Sequence, residues 1–401
     1  MIIVLILIFI ISRISAINLV YFYYNELNRC LPLYMNDTIR QAYLTNSDID
    51  IILITNIYQC NDANDNKDYW LWKIPVKVID TKTIISNRTQ YWLNISSSLF
   101  YKQHNDNPLW KTSTYRFFFI HDLMIKYNYT TVIHCESDTL LYGNLNMIKK
   151  QLLSIPTLAA TPLSWKNNMK LFTTASMFII NDINSLRKLV DFFIQLSESH
   201  QLVDYNKKMY FLNNHTESNW FDYLKWLRKL TCCVKSSRYL PDKNGLGLKP
   251  YAINEMSILT YFGIKHRQDL HYLPILPKRL GQVPNYRYEL RNFEADATFS
   301  FPGLFDPATY GMIISGSPHK KKGFVDDSHI ASSLIVRGTC RANFQCVKAT
   351  ESLLFWNYSE KVLVPMISCQ NDDYQKTTLL YTMHIHSKDK TNLYTSKICK
   401  S

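Results

Sequence analysis

The chain has 401 residues, 47% of them hydrophobic and 14% aromatic, with only 10 glycines and 14 prolines. That composition excludes a disordered or low-complexity chain and suits one large domain or two small ones. The formal charge of +13 is scattered, with Lys320-Lys321-Lys322 the one run of three, so a nucleic-acid binder is not expected. An anionic small substrate or an anionic membrane surface suits the balance.

Residues 1–11 are almost wholly aliphatic and lead into Ser12-Arg13-Ile14-Ser15-Ala16. The run has the length of a signal-peptide core and is short for a membrane span. Residues 1–16 are therefore expected to be a signal peptide or the start of a signal-anchor, followed by a single domain over residues 17–401. An anchor reaching Tyr24 would place Arg13 in the apolar layer. Either route delivers the chain to the secretory pathway, to the ER or Golgi lumen or outside the cell. Six Asn-x-Ser/Thr sequons agree, at Asn36, Asn87, Asn94, Asn128, Asn214 and Asn357.

Nine cysteines suit a few disulfides in an oxidising compartment, and the odd number leaves at least one unpaired within the chain. Cys340 with Cys346, and Cys369 with Cys399, are the expected late pairs. Cys135 lies inside an apolar strand and is expected as a free core thiol. No CxxC pair occurs, which argues against a zinc ribbon.

Residues 17–24 read as a short apolar connector and residues 38–44 as a helix. Residues 48–56 read as a first strand and residues 76–80 as a second. Residues 94–107 read as polar and irregular. Residues 111–127 carry Tyr115, Phe118, Phe119, Leu123 and Met124 at helical spacing. Residues 130–135 follow as a buried strand. Two further strands are predicted over residues 158–162 and 175–181, with an amphipathic helix over 183–197. Residues 203–248 read as an inserted polar and basic region with a short helix near 220–230. A helix is predicted over 254–262 and an extended segment over 272–277. From Arg279 onward loops are expected to dominate. Alternating strands and helices argue a mixed, mostly parallel sheet flanked by helices, with a core over about residues 45–280 and a loop-rich extension over 281–401.

The central feature is Glu136-Ser137-Asp138, directly after the strand at 130–135. Acids at the carboxyl end of a strand in an open α/β sheet lie where such folds bind ligands. Two carboxylates one residue apart on a turning backbone can face a single hard divalent cation. A surface loop with two solvated acids is the alternative that the motif alone leaves open.

Taken in order, these segments resemble a GT-A nucleotide-sugar glycosyltransferase over roughly residues 49–388. Leu53-Ile54-Thr55-Asn56 resembles the first strand, whose end cradles the nucleoside. Tyr115-Arg116 resembles the helix before the metal motif. Glu136-Ser137-Asp138 resembles the DxD motif, with Glu in the first place. Asn254-Glu255-Met256-Ser257 resembles the acidic helix start on the acceptor side. Met383-His384-Ile385-His386-Ser387-Lys388 resembles the closing His and Lys segment.

The resemblance implies an α/β GT-A fold and transfer of a hexosyl or related group from a nucleotide-diphosphate sugar to a glycan, protein or lipid acceptor. It implies Mn²⁺ or Mg²⁺ held by Asp138, Glu136 and one of His384 and His386. Thr55, Asn56, Arg116, Glu136 and Lys388 are expected on the donor. Glu255 and Asp306 are the candidate catalytic groups, Asp306 as an acceptor-side contact in Phe305-Asp306-Pro307-Ala308-Thr309-Tyr310-Gly311. A catalytically inactive, secreted carbohydrate-binding protein on the same scaffold is the alternative. A hydrolase using Glu136 and Asp138 ranks last, because acids on one turn cannot flank a glycosidic bond.

Overall fold

In the computed structural model the described residues are 17–26, 31–57, 74–100, 109–165, 171–205, 255–276, 301–316, 323, 332, 340–348, 361–371 and 374–385. Residues 1–16, most of the region at 203–248, Lys320–322, His386 and Lys388 lie outside them.

The main sheet holds seven strands: β1 (Ile17–Tyr23), β2 (Asp50–Thr55), β3 (Val76–Asp80), β4 (Thr131–Cys135), β6 (Leu158–Trp165), β7 (Leu171–Ile180) and β8 (Leu270–Tyr272). Their order is β3-β2-β1-β4-β7-β6-β8. β1 is parallel to both β2 and β4, β2 to β3, and β6 to β8, while β7 runs antiparallel to its two neighbours. The sheet is mixed and mostly parallel, as expected.

Helices cover both faces. On one side α3 (Asn87–Phe100), α4 (Leu109–Tyr127), α6 (Ile183–Tyr205) and α7 (Glu255–Lys265) bury Trp92, Phe118, Phe193 and Phe262 with Val20 and Val132. Trp92 stacks on Phe118 at 4.8 Å between ring centroids. On the other side α1 (Leu33–Thr45) buries Met35, Ile39 and Ala42 against Leu19, Tyr21 and Ile133. Two short helices, α2 (Thr81–Ile84) and α5 (Lys149–Ser154), complete this part of the chain.

Three expectations are corrected. Residues 17–23 are no connector but the third strand of the sheet, with Val20 between Ile52 and His134. A strand buried on both faces reads as a continuous apolar run without alternation, and here it continues an aliphatic leader. Because β1 is buried at the middle of the sheet, a membrane anchor cannot extend to Tyr24 in the folded chain. Residues 94–100 complete α3, so the irregular segment is at most 101–107, outside the described residues.

The third correction lies after Arg279, where a second, largely antiparallel sheet forms. Its order is β10 (Cys340–Lys348), β11 (Lys361–Asn371), β12 (Tyr374–His384) and β5 (Thr139–Leu141), with the two-residue β9 (Leu304–Phe305) beside β12. β10 is half-exposed and β11 carries Pro365, opposite Phe344, so neither advertises a strand by itself. The register also sets the disulfide. Cys340 lies opposite Cys369 and bonds to it, and Cys346 is disulfide-bonded too. The expected Cys340–Cys346 and Cys369–Cys399 bonds are both excluded by this pairing, and six residues along one strand also span about 20 Å.

β12 enters the molecule against β5 with Tyr381 wedged between two glycines. A Cβ on Gly143 would lie 1.7 Å from the Tyr381 ring, and one on Gly303 2.4 Å from it. Glycine at both places lets backbone close directly on the ring. This seating brings the last residue of β12, His384, opposite Thr139, next to the acid turn.

Candidate metal centre

Along β4, Ile133 and Cys135 point into one core layer and Val132 into the other. By the same alternation His134 and Glu136 share the face toward α4. The turn that follows is held on three sides through its carbonyls and one amide. Glu136 N donates to Ser176 O (3.1 Å) on β7, and Glu136 O accepts from Thr139 N (3.0 Å). Ser137 O accepts from Thr38 Oγ1 (2.7 Å) on α1, and Asp138 O accepts from Ile385 N (2.8 Å) just beyond β12.

Held in this way, the two acids meet His384. Its Nδ1 lies 3.3 Å from Glu136 Oε2 and its Nε2 3.1 Å from Asp138 Oδ1. One ligand atom from each of the three residues falls within 4.8 Å of the others. Two carboxylate oxygens and an imidazole nitrogen form a donor set that a divalent cation can take. The fit has a further sign: Glu136 Oε2 is buried and makes no hydrogen bond among the described residues.

Arg116, on α4, is buried beneath this group. Its Nη1 pairs with Glu136 Oε1 at 2.5 Å, and its Nη2 pairs with Glu255 in the first turn of α7. The guanidinium is therefore committed to two carboxylates. Burial alone would raise the Glu136 carboxyl, but the Arg116 charge and then His384 overcome it and hold it down to about 2. Burial, and then Arg116, push the His134 imidazole down to about 3, and its Nδ1 lies 3.0 Å from Val20 O. Three carboxyl groups outnumber the Arg116 guanidinium, and still outnumber it together with a protonated His384, so a local excess of negative charge remains.

The centre opens into a cleft of about 410 Å³, within the usual range for small-ligand sites. Arg116, Glu136, Asp138, Glu255 and His384 all line it. Thr55 and Asn56, expected on the donor, do not. Thr55 Oγ1 accepts from Ile57 N, and the Asn56 amide is bonded both ways to the backbone of Asn25, so the two shape the end of β2. Asp306, expected to face the acceptor, is wholly buried instead, with both oxygens on backbone N–H groups. Burial raises its carboxyl and those N–H groups oppose the rise.

Sequence reasoning missed the cleft's aromatic wall of Phe22, Tyr23, Tyr24 and Tyr34. The signal was the aromatic end of an apolar run, hidden once that run was read as a connector. It also missed Ala308 and Met312.

No protein-family model and no curated protein matches the chain. Among solved structures, it is similar to mouse xyloside xylosyltransferase 1 in its apo form, with 9% identity over 70% of this chain and 93% of that one, at a TM-score of 0.36. It is similar to the galactosyltransferase LgtC in complex with donor and acceptor sugar analogs, with 10% identity over 70% and 83% of the two chains, at 0.30. It is also similar to the glycosyltransferase GlyE of Streptococcus pneumoniae TIGR4, with 12% identity over 80% of this chain and 60% of that one, at 0.30. Likenesses this weak bear no functional weight. The strand order and the acid-tipped central strand stand without them. The fold is a mixed, mostly parallel α/β sheet flanked by helices. Within it, the candidate metal centre sits past the carboxyl end of β4, where β1 and β4 run parallel and β7 reverses direction.

Proposed function

We propose that the chain is a metal-dependent glycosyltransferase that moves a hexosyl or related group from a nucleotide-diphosphate sugar to a glycan or glycoconjugate acceptor. The observation that carries this reading is the convergence of Glu136, Asp138 and His384 on one cleft, from segments some 250 residues apart, at the carboxyl end of a parallel strand pair.

Glu136, Asp138 and His384 would hold Mn²⁺ or Mg²⁺, which when bound neutralises charge on a diphosphate leaving group. The chain's own residues fix the geometry. Arg116 keeps Glu136 ionised and turned so that Oε2 faces His384. Backbone bonds to β7, α1 and the end of β12 leave Asp138 little freedom to move. Glu255, bound to Arg116 and lining the cleft, is the carboxylate placed to meet a sugar hydroxyl. The aromatic wall at the end of β1 offers flat apolar surface to a base or sugar ring. The aliphatic run at residues 1–11 and the sequons support action in the secretory pathway.

Calorimetric titration of the full chain with nucleoside diphosphates and their sugars, with and without Mn²⁺, tests the reading. Binding that appears only with the metal, and slow hydrolysis of one donor, are expected. A protein that binds neither Mn²⁺ nor any nucleoside diphosphate removes it.

A further inference from the structure

Asp306 is a fully buried carboxylate that the transfer chemistry above leaves unused. Its bonds reach both sides of the metal centre. Oδ1 accepts from Tyr310 N (2.8 Å), and Oδ2 accepts from Gly311 N (2.7 Å) and from His384 N (3.0 Å). The Asp306 amide donates to Thr382 Oγ1 (3.0 Å) on β12. Its carbonyl accepts from Ser176 Oγ (2.9 Å), and the Ser176 carbonyl is the acceptor for Glu136 N. Asp306 is thus one hydrogen bond from the backbone of His384, and one residue removed from that of Glu136.

Helix α8 (Thr309–Ser315), which Asp306 caps, presses on the same point. A Cβ on Gly311 would lie 1.8 Å from the carbonyl oxygen of His384 and 3.0 Å from Asp306 Oδ2. Between Asp306 and α8, Ala308 adopts a left-handed backbone (φ 77°), unfavourable for a residue with a Cβ. That conformation is held while Asp306 grips the N–H groups of Tyr310 and Gly311, and it puts Ala308 on the cleft wall.

The geometry points to Asp306 as a positioning residue. It sets where the His384 imidazole stands relative to Asp138 and Glu136, acting through backbone and touching no substrate. This deepens the metal-dependent reading above and rests on it. An amide in place of the carboxylate has one acceptor oxygen where three N–H groups converge, and turns an N–H₂ toward an N–H. Loss of such a supporting bond weakens a metal site by about 10- to 100-fold.

The test uses the full chain as wild type, Asp306→Asn, Gly311→Ala, His384→Ala and the Asp306→Asn/His384→Ala double variant. Mn²⁺ affinity is measured by calorimetry, and ligand nitrogen by pulsed electron paramagnetic resonance on bound Mn²⁺. Wild type should show nitrogen coupling, and His384→Ala should lose it. Asp306→Asn should bind Mn²⁺ about 10- to 100-fold more weakly, with the nitrogen coupling lost or reduced. The double variant should be no weaker than His384→Ala to within about two-fold, because Asp306 acts through His384. Gly311→Ala should move in the same direction with Asp306 intact, which covers failure of the Asp306 variant to fold. Asp306→Asn with wild-type affinity and coupling, or a double variant weaker by the full Asp306 factor, overturns the proposal. Wild type that binds no Mn²⁺ overturns the metal reading and this with it, a result distinct from either.

Discussion

Replacing Arg116 with methionine keeps most of the buried stem and removes the charge that Glu136 and Glu255 share. Arg116 is 5% exposed and Glu255 4%, so both ends of the pair are desolvated. Removing one partner of a buried ion pair costs about 3–5 kcal/mol, because the other charge is left buried and uncompensated. A second route gives a similar size. Glu136 titrates near 2 in the folded chain against an ordinary 4.5, mainly because Arg116 outweighs burial. That gap corresponds to about 3 kcal/mol of stability at neutral pH. With an unfolding entropy of roughly 2.1 cal/mol/K per residue, the loss lowers the melting temperature by about 4–6 °C. The pH dependence follows from the sign. A depressed carboxyl stabilises the fold fully above about pH 4.5, and that stability drains as pH falls toward 2. In the variant, Glu136 is protonated at pH 3 and its penalty disappears. The gap between wild type and variant should therefore shrink to about half between pH 7 and pH 3. Thermal melts followed by circular dichroism at both pH values measure it. A loss at pH 7 below about 1 kcal/mol, or a gap that does not change with pH, would refute the reasoning.

Asp138→Asn leaves the backbone bond from Ile385 in place while removing the charge proposed to hold the metal. Mn²⁺ binding should weaken more than about 10-fold, and metal-dependent donor hydrolysis should vanish; calorimetry showing unchanged affinity would exclude Asp138 as a ligand. Gly143→Ala forces a methyl into the buried ring of Tyr381, which stacks on Phe305 at 5.3 Å. Overpacking of this kind costs about 1–3 kcal/mol, so a melting temperature lower by roughly 1–4 °C is expected from the same melts, with weaker Mn²⁺ binding. Made in a secretory host, the chain should carry glycans at the exposed sequons Asn87, Asn94 and Asn128 and none at Asn36. Asn36 is 5% exposed, and the hydroxyl of its sequon partner Thr38 is bonded to Ser137 O. Peptide mapping that finds Asn36 glycosylated on folded protein would contradict the packing of α1 on the acid turn.

What was legible in the sequence was local. The strand at 76–80 appears as β3 with the same ends, and the strand at 130–135 as β4 one residue shorter, because β-branched runs bounded by polar residues carry their own signal. The Glu-Ser-Asp turn was visible for the same reason. Arg116 and Glu255 could each be singled out, yet not as a pair, since 139 residues separate them and only the packing of α7 beside α4 joins them. Asn56 failed in the opposite way: its side chain was correctly placed at the end of a strand, but the backbone of Asn25 claims it.

The histidine shows why the rest was hidden. His384 and His386 lie two residues apart, so alternation puts both on one face of an extended segment and cannot say which meets the acids. The choice belongs to register: β12 pairs with β5 so that His384 lies opposite Thr139. A slip of one residue would present Met383 or Ile385 to the acids instead, and turn every side chain of β12 to its other face. Nothing in the sequence of β12 forbids the slip. It is opposed by contacts far away in the chain, Tyr381 seated between Gly143 and Gly303, and Asp306 holding the His384 amide. The proposed metal centre therefore depends on two glycines and a buried carboxylate that carry no chemistry of their own, and a sequence motif for the site that stops at the acids and the histidine omits the residues that bring them together.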